Sequence, residues 1–182
     1  MEKKPYTIVV FTENHIGLLN HVTIVFTRRK INIESLTVSE SEIKGIHSFT
    51  IVINATKDAV EKIVGQLDKM VEVMKAFFYE DDQLISQEIA LYKLPFSAIE
   101  KGVDLGRFLR NNDARILDIQ KEFIVIEKTG LYEETQDLLE KLRPFGILEF
   151  VRSGRIVITK PMKSLEEYIK ELQEGSDSMP LN

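Results

Sequence analysis

The sequence predicts an α+β fold that consists of two tandem units, each with the element order βαββαβ. Short apolar or alternating stretches typical of strands are interspersed with segments whose apolar residues recur every three or four positions, as in amphipathic helices. This order occurs twice along the chain, although the two halves share negligible sequence identity. The length of 182 residues suits two small domains, each of roughly 80–90 residues.

The first predicted unit covers residues 1–80 and begins with a buried strand, because Tyr6–Thr12 is a run of β-branched and apolar residues. Apolar residues recur at helical spacing in the next segment. Three basic residues follow, where cations favour the negative end of the helix dipole. The second strand, Ile31–Val38, shifts its apolar phase between Ile33 and Leu36, which predicts a bulge or bend.

The rest of the first unit contains a hairpin turn, a strand, a helix and a closing strand. Residues 43–47 supply the turn, a third strand alternates through Phe49, and Val73–Tyr79 forms the fourth strand. The apolar face of the intervening helix comprises Val60, Ile63, Val64, Leu67 and Val71. This order is the ferredoxin-like split βαβ arrangement. It leaves one sheet face bare or joined to a partner, so we expect a dimer that continues the sheet or packs helix on helix.

The second predicted unit covers residues 84–163 and repeats the order. Its elements are expected at Glu88–Leu94, Val103–Arg110, Ala114–Gln120, Phe123–Glu127, Leu131–Arg143, Ile147–Val151 and Arg155–Thr159. The closing strand is expected to break at Ser153 and Gly154, and the acidic stretch 80–83 to form the hinge between the units. Residues 164–182 are predicted to form a short charged helix and a frayed tail.

Composition argues against several classes of protein. The net charge of −5 disfavours a nucleic-acid binder, which needs a basic face for phosphate contacts. The chain has no cysteine, which excludes disulfides and thiolate chemistry and suits a reducing cytoplasm. The apolar run near the N-terminus is too short for a signal peptide or a membrane span. We therefore expect a cytoplasmic, soluble protein.

The candidate functional site lies in the segment TENHIGLLNHV, residues 12–22, where the first strand gives way to the first helix. A helix N-terminus carries unpaired amides and a partial positive charge, and Asn14 is expected to cap it. Gly17 has no Cβ, so a carboxylate can approach the amides of Gly17, Leu18 and Leu19.

A free amino acid also needs acceptors for its ammonium group and a surface for its side chain. Asn32 offers a side-chain carbonyl at the start of the second strand, and Ile33 can contact an aliphatic side chain. The plainer alternative is that the glycine serves backbone conformation alone and the asparagine is only a cap. The residue types by themselves leave both alternatives open.

Three segments of the first unit, including the candidate site, give the chain a family resemblance. ENHIGLLNHV, FTRRKINIESLTVS and GIHSFTIVI resemble the N-terminal ACT domain of the acetolactate synthase small subunit. That family has EN-x-x-G-x-L at the first turn and N-I-E-S-L at the second strand. The resemblance continues through QEIALYKL, RILDI and FVRSGRIVI, and so covers residues 6 to about 160.

The resemblance implies a non-catalytic regulatory subunit with three kinds of partner. It implies a homodimer through paired ACT domains, with valine or a related branched-chain amino acid bound at their interface. It also implies activation and feedback inhibition of a large catalytic subunit. The implied cofactors, thiamine diphosphate, magnesium and FAD, belong to that catalytic subunit and not to this chain. The implied effector-binding residues are Asn14, Gly17, Leu18, Leu19, Asn32 and Ile33.

Three positions depart from the family pattern. Ile16 stands where many members have proline or serine. Leu18 stands where alanine is common, and its extra bulk is expected to narrow the pocket or to shift its ligand preference. Lys30 replaces a glycine that often ends the first helix. Because a lysine at positive φ costs about 1 kcal/mol or more, this turn is expected to differ. These departures concern valine sensitivity and leave the family assignment intact.

Other functions have weaker support in the sequence. An RNA-binding module shares this element order, but Phe49 lacks the basic motif that such a sheet needs. No nucleophile, phosphate-loop or dinucleotide motif suggests an enzyme, and the three histidines have no metal-binding spacing. Arg152 is considered as an exposed contact for the large subunit, with a β-turn or bulge as the plainer role of its segment. A stand-alone amino-acid sensor that acts on another protein is the main alternative.

Overall fold

The computed structural model describes residues 2–100, 105–160 and 167. The chain divides into two compact units. The first contains the residues up to Ile85 together with the described residues from Ile158 on, and the second runs from Ser86 to Val157. Each unit is built on its own antiparallel sheet, so the predicted α+β class is confirmed. The charged helix predicted after Lys163 lies outside the described residues, apart from Glu167.

The first unit has the predicted order βαββαβ. Its elements are β1 (Lys4–Glu13), α1 (Leu18–Arg28), β2 (Ile33–Glu40), β3 (Ile46–Ala55), α2 (Lys57–Leu67) and β4 (Val73–Tyr79). The strands lie in the order β2-β3-β1-β4, and every neighbouring pair is antiparallel. Among the strands that the structure describes, β2 is therefore one edge of the sheet.

The core of the first unit lies between one sheet face and the two helices. Tyr6 and Ile8 of β1 point to this face, and Val22 of α1 and Ile63 of α2 pack in the same cluster. The apolar spacing predicts that Val71 continues the second helix inward, which is wrong. The helix ends at Leu67, and Val71 is 98% exposed in the turn before β4.

The second strand contains the predicted irregularity. Ile33 pairs with Ile53 and Ser35 pairs with Val52, so Glu34 is the extra residue of a β-bulge. Because a bulge places two residues opposite one, it accounts for the phase shift seen in the sequence. The predicted bend between Ile33 and Leu36 is confirmed.

The second unit repeats the architecture. Its elements are β5 (Leu84–Pro95), α3 (Ser97–Glu100), α4 (Leu105–Asn111), β6 (Arg115–Ile119), β7 (Phe123–Gly130), α5 (Tyr132–Leu142), β8 (Glu149–Arg152) and β9 (Ile156–Thr159). The sheet order is β6-β7-β5-β8, with β9 also paired to β5. The closing strand is therefore in two segments, and the predicted break at Ser153 is confirmed. Residues 103–104 of the predicted first helix lie outside the described part.

Packing in the second unit follows the predicted helical face. Leu138, Leu139 and Leu142 of α5 are buried against a cluster that includes Tyr92. The hydroxyl of Tyr92 donates a hydrogen bond to the carbonyl of Thr135 at 2.6 Å. Among the residues that the structure describes, no helix is both long enough and apolar enough to cross a membrane.

Candidate functional site

The turn between β1 and α1 has an unusual backbone conformation at Gly17. This residue is the N-cap of α1, and its φ of 86° lies in the left-handed region that L-amino acids rarely adopt. A Cβ built on Gly17 meets no atom within 4 Å. The glycine therefore allows the left-handed backbone conformation of the turn, and its missing side chain leaves open space beside the helix N-terminus.

Two of the three amides predicted to bind a carboxylate are available. Among the described residues, the N–H groups of Gly17 and Leu19 have no main-chain acceptor. The N–H of Leu18 instead donates to the carbonyl of His15 at 3.3 Å. The expectation that Leu18 contributes a free donor is therefore wrong, because the tight turn before the helix uses its amide.

Asn14 does not cap the helix, contrary to the prediction from the sequence. Gly17 occupies the N-cap position, and no side chain caps the helix there. The backbone N–H of Asn14 donates to the carbonyl of Gly45 at 3.1 Å, which fixes the turn beside the β2–β3 hairpin. The side chain of Asn14 is exposed and remains a candidate contact for a ligand.

The two leucines that follow Gly17 have different environments. Leu18 is 4% exposed and belongs to the core of the first unit. Its bulk therefore cannot narrow a pocket at the turn, contrary to the expectation from the family pattern. Leu19 is 49% exposed, and the neighbouring Ile16 is fully exposed at 107%. These two side chains give the open side of the turn an apolar character.

The remaining predicted residues, Asn32 and Ile33, lie at the opposite end of the sheet. Their separation from the Gly17 turn can be measured along β3, which pairs with both β1 and β2. Glu13 of β1 pairs with Ile46 of β3, whereas Ile33 of β2 pairs with Ile53. Seven residues of strand span about 23 Å at about 3.3 Å per residue. The six predicted residues therefore do not form one site within a single chain.

Asn32 and Ile33 contact residues of their own strand and of the core of the first unit. The side-chain amide of Asn32 donates to the Oε1 atom of Glu34 at 3.1 Å. Ile33 is half-buried and packs partly against the core of its own unit, so only part of its side chain can contact a ligand. Glu34 was not among the sequence candidates, although the phase shift at this strand marks the bulge that contains it.

Two glutamate–histidine pairs flank the Gly17 turn. The Oε2 atom of Glu13 lies 3.0 Å from Nε2 of His15, and Oε1 of Glu72 lies 3.7 Å from Nδ1 of His21. The described residues contain no group of three metal-ligating side chains. Between these two pairs the turn itself offers backbone donors, the Asn14 amide and apolar side chains, which suit a small zwitterionic or anionic ligand.

Comparisons with known proteins match both units. A family model described as the AHAS small subunit-like ACT domain matches residues 8–75, and one described as the small subunit of acetolactate synthase matches residues 87–161. The acetolactate synthase small subunit of Mycolicibacterium smegmatis is 34% identical over 85% of this chain and 91% of its own length. The chain belongs to the acetolactate synthase small subunit family.

Further relatives extend this family assignment to other organisms and to a solved structure. The acetolactate synthase small subunit of Bacillus subtilis is 32% identical over 81% of this chain and 86% of its own length. The crystal structure of the acetolactate synthase small subunit from Thermotoga maritima aligns with a TM-score of 0.79 at 25% identity. That alignment covers 88% of this chain and 99% of the Thermotoga chain.

The C-terminal end of α1 has the turn that the family's common glycine would form, although Lys30 replaces this glycine. Lys30 adopts a φ of 54°, in the left-handed region that the common glycine would occupy. The N–H of Ile31 donates to Phe26 O at 3.1 Å and that of Lys30 to Thr27 O at 3.0 Å. These two bonds define a Schellman motif. The expected difference in this turn is absent, so the lysine adopts a strained conformation instead.

Arg152, in the FVRSGRIVI segment that carries the family resemblance, is not an exposed contact. The side chain of Arg152 is 14% exposed, and its guanidinium lies 4.3 Å from the centre of the Tyr132 ring. Its Nε atom is 3.7 Å from Oε2 of Glu88, and Arg155 approaches the other oxygen at 4.0 Å. Burial raises the pKa of Glu88, while the two arginines act in the opposite direction. The predicted contact role of Arg152 is therefore wrong.

The sheet also lacks the feature that an RNA-binding module needs at Phe49. This residue is 2% exposed and packs in the core under the helices. A buried aromatic ring cannot stack on a nucleotide base. The position that suggested RNA binding is therefore a core position.

Proposed function

We propose that this chain is a non-catalytic regulatory subunit of acetolactate synthase. In this proposal it activates the thiamine-diphosphate-dependent large subunit and makes that subunit sensitive to valine or another branched-chain amino acid. Thiamine diphosphate, magnesium and FAD belong to the large subunit. The observation that carries the effector role is the left-handed Gly17, which leaves open space beside free amides at the start of α1.

The carboxylate of the effector binds at the Gly17 turn. The N–H groups of Gly17 and Leu19 supply two donors, and the positive end of the helix dipole adds favourable electrostatics. The exposed side chains of Leu19 and Ile16 lie beside these donors and can contact an aliphatic side chain. A free amino acid with a branched apolar side chain fits this combination of groups.

The ammonium end of the effector requires a second copy of the chain. Within one chain Asn32 lies about 23 Å along the sheet from the level of Glu13, by the strand rise of about 3.3 Å per residue. Strand β2 is an edge, so two copies can pair their β2 strands. In an antiparallel pair related by a two-fold axis, the start of one β2 lies beside the end of the other. This arrangement brings Asn32 of the second copy to the end of the sheet that carries Gly17.

An effector at such an interface can regulate because it binds one arrangement of the two copies better than another. Coupling free energies of this kind are typically about 1–3 kcal/mol. The effector therefore shifts the pairing of the two ACT domains, and the large subunit senses the pairing. Regulation in this proposal requires no catalytic group in the small subunit.

Reconstitution with a purified large subunit tests the proposed function. The turnover of that subunit is measured with and without this chain, and then with valine, leucine or isoleucine added. We expect this chain to raise turnover and one of the amino acids to lower it. No rise in turnover contradicts the subunit role. Amino-acid binding by this chain without any effect on the large subunit favours a stand-alone sensor instead.

A further inference from the structure

Glu34 is an exposed carboxylate on the edge strand that the proposed dimer pairs. As the extra residue of the β-bulge, it stands outside the regular ladder with β3. Its Oε1 atom accepts the hydrogen bond from Nδ2 of Asn32 at 3.1 Å. This bond fixes the orientation of the Asn32 amide, so that Oδ1 of Asn32 and Oε2 of Glu34 remain available as acceptors.

Glu34 differs from the glutamates beside the Gly17 turn in its surroundings, because those glutamates lie next to histidines. Glu13 and Glu72 each lie next to a histidine, at 3.0 and 3.7 Å. Glu40, at the other end of β2, accepts a hydrogen bond from the Gly45 amide at 3.2 Å. Among the described residues Glu34 has no cationic partner. An exposed carboxylate beside an oriented amide is suited to bind a small cation such as an ammonium group.

We propose that Glu34 of the second copy binds the ammonium group of the effector whose carboxylate is held at Gly17. This inference rests on the proposed function, and it names the residue that determines which class of ligand the effector site binds. The effector then contacts two copies at once, through backbone amides in one copy and through Glu34 and Asn32 in the other. The site selects a free α-amino acid over the corresponding 2-oxo acid, because the oxo acid offers no cation to the carboxylate.

The Glu34→Gln variant tests the charge without changing the shape. Glutamine preserves the acceptor for Asn32 but removes the negative charge. We expect valine binding, measured by calorimetry, to weaken about tenfold or more, while the weak binding of 2-oxoisovalerate stays unchanged. The matched control is Glu61→Gln, at an exposed glutamate of α2 away from the edge strand, which should bind valine like the wild type. An equal loss of valine binding in Glu61→Gln, or normal binding in Glu34→Gln, overturns the assignment.

Mixed dimers test whether Glu34 acts across the interface. Gly17→Asp and Glu34→Gln chains, each with weakened binding as a homodimer, are co-expressed with different tags, and heterodimers are purified. If the site is shared, each heterodimer contains one site with both wild-type residues and one site with both substitutions. We expect valine binding to return at about half of the sites of a two-fold dimer. Heterodimers that bind no better than the parents overturn the shared site.

The outcomes separate this inference from the proposed function. If the wild-type chain binds valine and Gly17→Asp abolishes it, but Glu34→Gln binds normally, only the role of Glu34 is wrong. If the wild-type chain binds no amino acid, both the effector role and the role of Glu34 are contradicted. Circular dichroism of each variant, compared with the wild type, verifies that the chain keeps its secondary structure.

Discussion

Lys30 and Asp113 occupy the same position at the ends of the corresponding helices of the two units, and both have left-handed backbone conformations. Their φ angles are 54° and 49°. The residue after each of them donates a backbone hydrogen bond back into the preceding helix. Ile31 donates to Phe26 O at 3.1 Å, and Ala114 donates to Leu109 O at 3.0 Å. Three residues after each of these positions an isoleucine, Ile33 or Ile116, immediately precedes a bulge. The two units therefore share local backbone geometry that their sequences conceal.

The left-handed conformation of Lys30 predicts a stabilising substitution. Because glycine adopts positive φ without the steric cost of a Cβ, Lys30→Gly should raise the free energy of unfolding by up to about 1 kcal/mol. Urea denaturation followed by circular dichroism measures this change. The control is Arg29→Gly one residue earlier, where φ is −96° and glycine should destabilise the protein. Destabilisation by Lys30→Gly would show that the lysine side chain contributes more than its strain costs.

The Gly17 site predicts different effects of two nearly isosteric substitutions. Aspartate and asparagine both tolerate positive φ and fill the same space, but only aspartate repels a bound carboxylate. We expect Gly17→Asn to weaken valine binding and Gly17→Asp to weaken it about tenfold further, as measured by calorimetry. Equal affinities for the two variants would place the effector carboxylate elsewhere.

The proposed pairing of β2 strands can be tested by cross-linking, because the chain contains no cysteine. Single cysteines at Thr37, Val38 and Ser39 scan the middle and end of the edge strand. A disulfide needs Cα atoms within about 7 Å, which an antiparallel pair provides at one register. We expect a cross-linked dimer on non-reducing electrophoresis for at least one of the three.

The control for this scan is a cysteine at Val71, which is 98% exposed but lies outside the edge strand. It should stay uncross-linked at the same protein concentration. If all three edge variants remain monomeric on the gel while the Val71 variant cross-links, the copies meet through another surface.

Glu88 predicts a pH-dependent contribution to stability. Burial raises its pKa above the ordinary 4.5, so near that pH the folded chain holds a proton that the unfolded chain has lost. Stability from this group is therefore present at low pH and is lost as the pH rises through the raised pKa. The difference in unfolding free energy between wild type and Glu88→Gln should decline as the pH rises from about 4.5. A difference that grows over this range would mean that the arginines outweigh burial.

Local patterns predicted most of the elements because each pattern reflects the nearest neighbours along the chain. Val73–Tyr79 was predicted with the bounds that the structure shows, since alternation and flanking turns depend on adjacent residues. Val71 fits the apolar spacing of the helix before it, but the helix ends at Leu67. Asn14 has the residue type of a cap, but the chain needs three more residues to turn before α1 begins. In both cases the path of the chain overrides local preference.

The sequence by itself determined the repeated βαββαβ order, the bulge in β2 and the glycine at the first turn, because these features depend on side-chain period and backbone freedom. Only the tertiary structure decided where the candidate residues lie relative to one another. The register of β1 and β2 against β3 puts Gly17 and Asn32 at opposite ends of one sheet. Register is set by pairing between distant segments, and no local pattern contains it. The same pairing leaves β2 as an edge, which gives a second copy of the chain a place to bind.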